Sequence, residues 1–152
     1  MNCAVIYYSR SGITKAIADK VAAAFDADMF FVEPEKAYGN YASSVIRVIG
    51  EKVGKKERLL KTPVSDFSAY DTVFIGFPVW AGTVPDFMQE YLRQADLSGK
   101  RVIPFATAGA NGRESSLNAI KSLCPKSNVA DYFYISMTKR ADADAWIKGL
   151  KL

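Results

Sequence analysis

The sequence predicts an α/β protein: a doubly wound, five-stranded parallel sheet with helices on both faces. Two observations carry that prediction. The strand-like segments are short, continuously apolar runs, such as Cys3-Ala4-Val5-Ile6-Tyr7-Tyr8, which suits strands covered on both faces. These runs alternate with segments whose apolar residues recur at helical spacing, and right-handed crossovers then leave few topologies.

The first strand stops at the polar turn Ser9-Arg10-Ser11-Gly12, after which Ile13, Ala16, Ile17, Val21 and Ala24 mark a helix. Met29 to Val32 is a second strand, closed by Pro34. Gly39-Asn40 reads as a turn, and Ala42, Val45, Ile46, Ile49 and Val53 mark a second helix. Residues 54 to 70 are basic and irregular, as expected of an exposed loop. Thr72 to Phe77 is the clearest strand, and Pro78 to Gly82 a loop. Val84, Phe87, Met88, Tyr91 and Leu92 form a helical stripe, with Pro85 tolerated near its start. Arg101 to Ala106 is a fourth strand, followed by a small-residue loop from Thr107 to Gly112. Leu117, Ile120, Leu123 and Cys124 mark a helix stopped before Pro125, Val129 to Met137 a fifth strand, and Asp142 to Leu150 a terminal helix. With no repeat, low-complexity tract or linker, residues 1–152 read as one domain.

Composition narrows the function. With 152 residues, 49% apolar and 24% charged, the chain reads as an ordinary globular domain. The apolar runs are too short for a membrane span, and Met1 to Ile6 lacks the pattern of a signal peptide, so a cytoplasmic protein is expected. The absence of histidine excludes a histidine-based triad and the commonest zinc and haem ligand sets. Cys3 and Cys124 sit in no CxxC pair and read as buried free thiols. No metal site is expected. The net charge is +4, and Lys52, Lys55, Lys56, Arg58 and Lys61 cluster. Without a recognisable nucleic-acid module they read as a solvated helix end and loop.

In open α/β sheets, ligands bind beyond the carboxyl ends of the strands. Three loops there have unusual composition. Ser9-Arg10-Ser11-Gly12-Ile13-Thr14 places three hydroxyls and a glycine at a helix start, where free N–H groups and the helix dipole suit a phosphate. An ordinary serine or threonine N-cap would explain only one of those hydroxyls. The loop matches neither the Walker nor the GxGxxG pattern. Pro78-Val79-Trp80-Ala81-Gly82 offers an indole face that could stack on a planar ring, or could simply pack on the surface. Thr107-Ala108-Gly109-Ala110-Asn111-Gly112 has small residues that admit close backbone approach, or is a loop without a role.

Together, the three loops resemble those of the flavodoxin family, and more narrowly its short members. The resemblance rests on Ser9 to Thr14, on Phe74-Ile75-Gly76-Phe77-Pro78-Val79-Trp80-Ala81-Gly82-Thr83-Val84-Pro85, and on Pro104-Phe105-Ala106-Thr107-Ala108-Gly109. It implies strand order 2-1-3-4-5 and a non-covalently bound flavin mononucleotide (FMN). Ser9, Ser11, Thr14 and the backbone amides around Arg10, Gly12 and Ile13 would hold its phosphate. Trp80, flanked by Pro78, Val79 and Ala81, would lie beside the ring. Amides near Gly82, Thr107, Ala108, Gly109 and Gly112 would line its polar edges, and Tyr38 could approach it. No side chain need be catalytic. Two features depart from the family: Arg10 and Ile13 replace smaller or polar residues, and the net charge is positive where carriers are typically acidic.

The resemblance implies an electron carrier exchanging electrons with a redox partner protein or a small-molecule donor or acceptor. An NAD(P)H-dependent FMN or quinone oxidoreductase is the alternative. A non-redox signalling domain of the same architecture would need acidic residues at its strand ends to bind magnesium. Here those ends read Tyr7-Tyr8-Ser9 and Phe77-Pro78.

Overall fold

Cys3–Tyr7 forms β1, buried along its whole length. A computed structural model describes residues 1–35 and 60–152. The turn and helix read between Gly39 and Val53 lie outside the described residues, as do Tyr38, residues 54–59 of the irregular loop, and Lys52, Lys55, Lys56 and Arg58. The remaining elements are α1 (Ile13–Phe25), β2 (Asp28–Phe31), β3 (Thr72–Pro78), α2 (Asp86–Gln94), β4 (Arg101–Ala108), α3 (Arg113–Leu123), β5 (Asn128–Val129), β6 (Phe133–Ser136) and α4 (Ala143–Gly149).

All strand pairings are parallel, in the order β2-β1-β3-β4-β5, with β6 also paired to β4. This is the expected 2-1-3-4-5 order, with the last position shared by two short strands. The uninterrupted strand read from Val129 to Met137 is therefore corrected. Asp131 adopts a left-handed φ of 55° between β5 and β6, a conformation that breaks an extended ladder. Arg101 at the start of β4 ion-pairs with its carboxylate.

Side chains alternate between two cores, as strand geometry demands. Ala4, Ile6, Val73, Ile75 and Phe77 join Phe87, Met88, Tyr91 and Leu92 of α2 and Ile120 of α3 on one face. Val5, Tyr7, Phe74, Ile103 and Phe105 join Ile17, Ala18 and Val21 of α1 and Ile147 of α4 on the other. The stripe read for α2 is buried as expected. The stripe read for α1 is rotated: Ile13, Ala16 and Ala24 are exposed, and Thr14, Ile17, Ala18 and Val21 are buried. A threonine passes for polar in the sequence but here begins the i, i+3, i+4, i+7 face.

Gly76 in β3 stands opposite Phe105 in β4, and a Cβ at Gly76 would collide with the Phe105 ring. Glycine is what lets that ring lie across the sheet. Cys3 and Cys124 are free and buried. Burial pushes the Cys124 thiol up to about 11 and also raises that of Cys3. Among the described residues, no helix is long and apolar enough to cross a membrane.

Candidate functional site

Three strand-to-helix connections meet at the carboxyl end of the sheet. In the first, Gly12 takes the N-cap position of α1 with φ 92°, and no side chain caps the helix. The hydroxyl of Ser9 accepts a hydrogen bond from the Gly12 N–H at 3.0 Å. It thus closes the turn, leaving the first-turn amides of Ile13, Thr14 and Lys15 without a capping side chain. The ordinary N-cap explanation of these hydroxyls does not hold. Arg10, Ser11 and Ile13 are exposed. Thr14 is only 2% exposed, and its Oγ1 lies 2.8 Å from Thr107 Oγ1 at the end of β4. That bond ties the first loop to the third.

The second connection is a miniature hairpin. Trp80 N–H donates to the Thr83 carbonyl at 2.9 Å, and Thr83 N–H returns to the Trp80 carbonyl at 3.1 Å. Ala81 and Gly82 between them have φ of 48° and 79°, both positive as in a type I′ turn. The Trp80 ring meets Tyr8 edge-on at 5.5 Å and Phe87 at 6.3 Å. Tyr8 packs in turn on Phe87 at 4.8 Å and stacks on Phe31 at 5.9 Å. Neighbours thereby fix the orientation of the half-buried indole.

The third connection starts later than the sequence suggests. Thr107 and Ala108, read as loop, are the last residues of β4, because they find ladder partners on β6 and Thr107 also pairs with Pro78. Beyond them the chain is held from several sides. The Gly109 carbonyl accepts from Met137 N–H at 3.2 Å, and the Ala110 carbonyl from the Tyr134 hydroxyl at 3.2 Å. Val79 N–H donates to the Thr107 carbonyl at 2.8 Å. Gly112 caps α3 with φ 107° and, again, no side-chain cap. A Cβ there would stand 2.5 Å from Val79 Cγ1 and 2.9 Å from the Gly82 carbonyl oxygen.

Sequence reasoning missed the residues that lock these loops. Ser115 donates to the Gly82 carbonyl. Buried Ser116 donates to the Gly112 carbonyl and lies 2.8 Å from the Tyr132 hydroxyl. Burial pushes the Tyr132 phenol up to about 12. The available signal was a pair of serines in the first turn after a glycine cap, where a hydroxyl can reach backward to the preceding loop.

The fifteen residues picked from sequence thus gather at one end of the sheet in three linked loops. Space lies open above them: a Cβ at Gly12, Gly82 or Gly109 would meet nothing within 4 Å. Residues 8–12, 78–85 and 107–112 contain no carboxylate. An uncapped helix start beside two hydroxyls fits a phosphate, and open glycines alongside an oriented tryptophan fit a flat ring. A hollow of about 420 Å³ lies against Gly112 to Ser115 and Asn118. Another, of about 360 Å³, sits at the opposite end of the sheet around Leu92, Leu97, Cys124 and Lys126, and no site residue lines it. Among the described residues, no group of histidine, cysteine or carboxylate side chains could hold a metal ion.

The family model described as "Flavodoxin" matches residues 2–150. A protein from Bacteroides uniformis ATCC 8492, assigned as a flavoprotein, is 28% identical, with a TM-score of 0.82 and 97% of each chain covered. One from Bacteroides eggerthii DSM 20697 is 26% identical, with a TM-score of 0.74, covering 95% of this chain and 92% of its own. A flavoprotein from Lactobacillus acidophilus NCFM, solved in complex with FMN, is 20% identical, with a TM-score of 0.74, covering 95% of this chain and 97% of its own. No curated protein matches the chain.

Proposed function

The chain belongs to the flavodoxin family, and from that premise we propose that it binds FMN non-covalently and carries electrons. The observation that carries this reading is the uncapped start of α1, with Ser9 and Ser11 beside it, set against the open glycines of the Trp80 and Gly109 loops. The α1 amides and the hydroxyls of Ser9 and Ser11 hold the phosphate. Thr14, fixed by Thr107, sets the position of that turn. Trp80 flanks the ring, and backbone amides near Gly82 and Gly109 meet its polar edges. Bound FMN supplies the redox chemistry, while the chain binds, orients and shields it.

The test is a fluorescence titration of apoprotein into FMN, with riboflavin as control. Trp80 quenches the flavin emission on binding. Charge-assisted hydrogen bonds to the phosphate favour FMN over riboflavin by about a hundredfold or more. Absence of binding by folded protein would remove the flavin reading. An NAD(P)H-dependent FMN or quinone oxidoreductase would use the same site. Steady oxidation of NAD(P)H by holoprotein and a quinone, with no added reductase, would replace the carrier reading with that one.

A further inference from the structure

Trp80 is the one aromatic side chain in the three loops, and the rings that hold it lie outside them. Its backbone is fixed by the two hydrogen bonds exchanged with Thr83, but those bonds leave several staggered wells open to the side chain. The half-buried indole takes its orientation from the rings it packs against. Among the described residues these are Tyr8, at 5.5 Å and 78°, and Phe87, at 6.3 Å and 61°.

Tyr8 is far more firmly seated than Trp80. It is only 5% exposed, and its N–H donates to the Gly76 carbonyl of β3 at 3.1 Å. Its ring meets Phe87 near-perpendicularly, at 4.8 Å and 84°, and stacks on Phe31 at 5.9 Å and 28°. Phe87 is itself buried in α2. Tyr8, Phe87 and Trp80 thus close a triangle of rings, all within the range in which aromatic pairs attract. Two corners belong to the core and the third stands in the loop. Rotating the indole gives up contacts with both core rings at once. Tyr8 also lies between β1 and Ser9, so the residue that holds the indole is also the one that leads into the Ser9 turn.

We propose that Tyr8 is a positioning residue for the flavin: its ring, seated on β3 and Phe87, holds the Trp80 indole in the pose that flanks the isoalloxazine. The proposal rests on the FMN reading above, in which Trp80 lies beside the ring. Tyr8 acts through Trp80 alone. An indole held in place before binding loses less conformational freedom when the flavin arrives. Its electron-rich face, kept against the ring, opposes the negative charge added on reduction and so lowers the reduction potential of bound FMN.

The test is a double-mutant cycle between Tyr8 and Trp80, read by FMN affinity, flavin emission and the reduction potential of the FMN-loaded protein. Tyr8→Leu removes the ring but keeps an apolar side chain. It should weaken FMN binding about two- to tenfold, the equivalent of one aromatic contact. It should also restore part of the quenched emission and make the potential less negative. Tyr8→Phe keeps the ring and should match the wild type in all three. In a Trp80→Leu background, Tyr8→Leu should change neither emission nor potential further. Phe67→Leu controls for lost core volume. Phe67 is buried in the same core, but its ring contacts among the described residues are with Phe30, Tyr70 and Tyr91, so emission and potential should stay as in the wild type. Tyr8→Met, which keeps apolar bulk without a ring, replaces Tyr8→Leu if that variant does not fold. The proposal is overturned if Tyr8→Leu leaves emission and potential unchanged, if it shifts them equally with Trp80 absent, or if Tyr8→Phe behaves as Tyr8→Leu does. A wild type that binds no FMN, or a Trp80→Leu variant with undiminished quenching, instead removes the flavin reading beneath it, so the two failures are told apart.

Discussion

The described helices start in different ways, and α2 begins after Pro85 with no side-chain cap. At α4, Asp142 accepts hydrogen bonds from the amides of Asp144 and Ala145, so the helix closes its own end. At α1 and α3 the same position holds a glycine in left-handed conformation, and no side chain caps either helix. A side-chain cap is worth about 1 kcal/mol over alanine and a few tenths over glycine, and α1, α2 and α3 all forgo it. At α3 the reason is packing: Gly112 lets the helix press against Val79 and Gly82, and Ser115 and Ser116 bind carbonyls of the loops instead. At α1 no such packing occurs, and a Cβ at Gly12 would meet only open space. The bare start of α3 is thus explained by packing within the protein, whereas that of α1 is not, which suits the phosphate proposed to sit there.

The largest effect expected from this contrast is at Gly112. Gly112→Ala adds left-handed strain and drives a methyl into Val79 and the Gly82 carbonyl. The expected cost is about 2–5 kcal/mol in urea unfolding. The displaced Trp80 hairpin should also weaken FMN binding. A cost no greater than that of Gly12→Ala would break the packing half of the comparison.

Next comes Thr14→Val. It keeps the shape but leaves the Thr107 hydroxyl without its 2.8 Å partner, at a cost of about 1–3 kcal/mol. Thr14→Val combined with Thr107→Val should recover part of that loss, because removing both members of a part-buried pair costs less than stranding one. Additive losses would show that the bond does not join the first and third loops.

These residues also show what was legible in the sequence. The continuous apolar runs fixed the strand order's raw material, and the α2 stripe from Val84 to Leu92 is buried residue for residue. The loops proposed as the site stood out because glycine and hydroxyls crowd the strand ends. Contacts between distant segments were not visible. Thr14 reads as a polar loop residue until Thr107, 93 positions away, takes its hydroxyl. Thr107 and Ala108 read as loop until β6 and Pro78 supply partners. Asp131 looks like an ordinary strand residue, yet its positive φ splits the fifth strand. Local pattern encodes burial and turn chemistry, whereas pairing across the sheet decides where a strand stops.

The smallest expected effects separate the two helix starts most sharply. Asp142→Ala strands two first-turn amides of α4 and should cost about 1 kcal/mol in stability. Because α4 starts beyond the three loops, FMN affinity and its preference over riboflavin should not change. Gly12→Ala should cost a similar amount, about 1–2 kcal/mol, from left-handed strain alone, since its methyl meets nothing. Yet that methyl enters the space where the phosphate is proposed to sit, so FMN affinity should fall about tenfold or more while riboflavin binding changes little. Unfolding in urea and the paired flavin titrations measure both quantities on both variants. If Gly12→Ala lowers the two flavin affinities equally, the bare start of α1 is a feature of the turn and not a phosphate site.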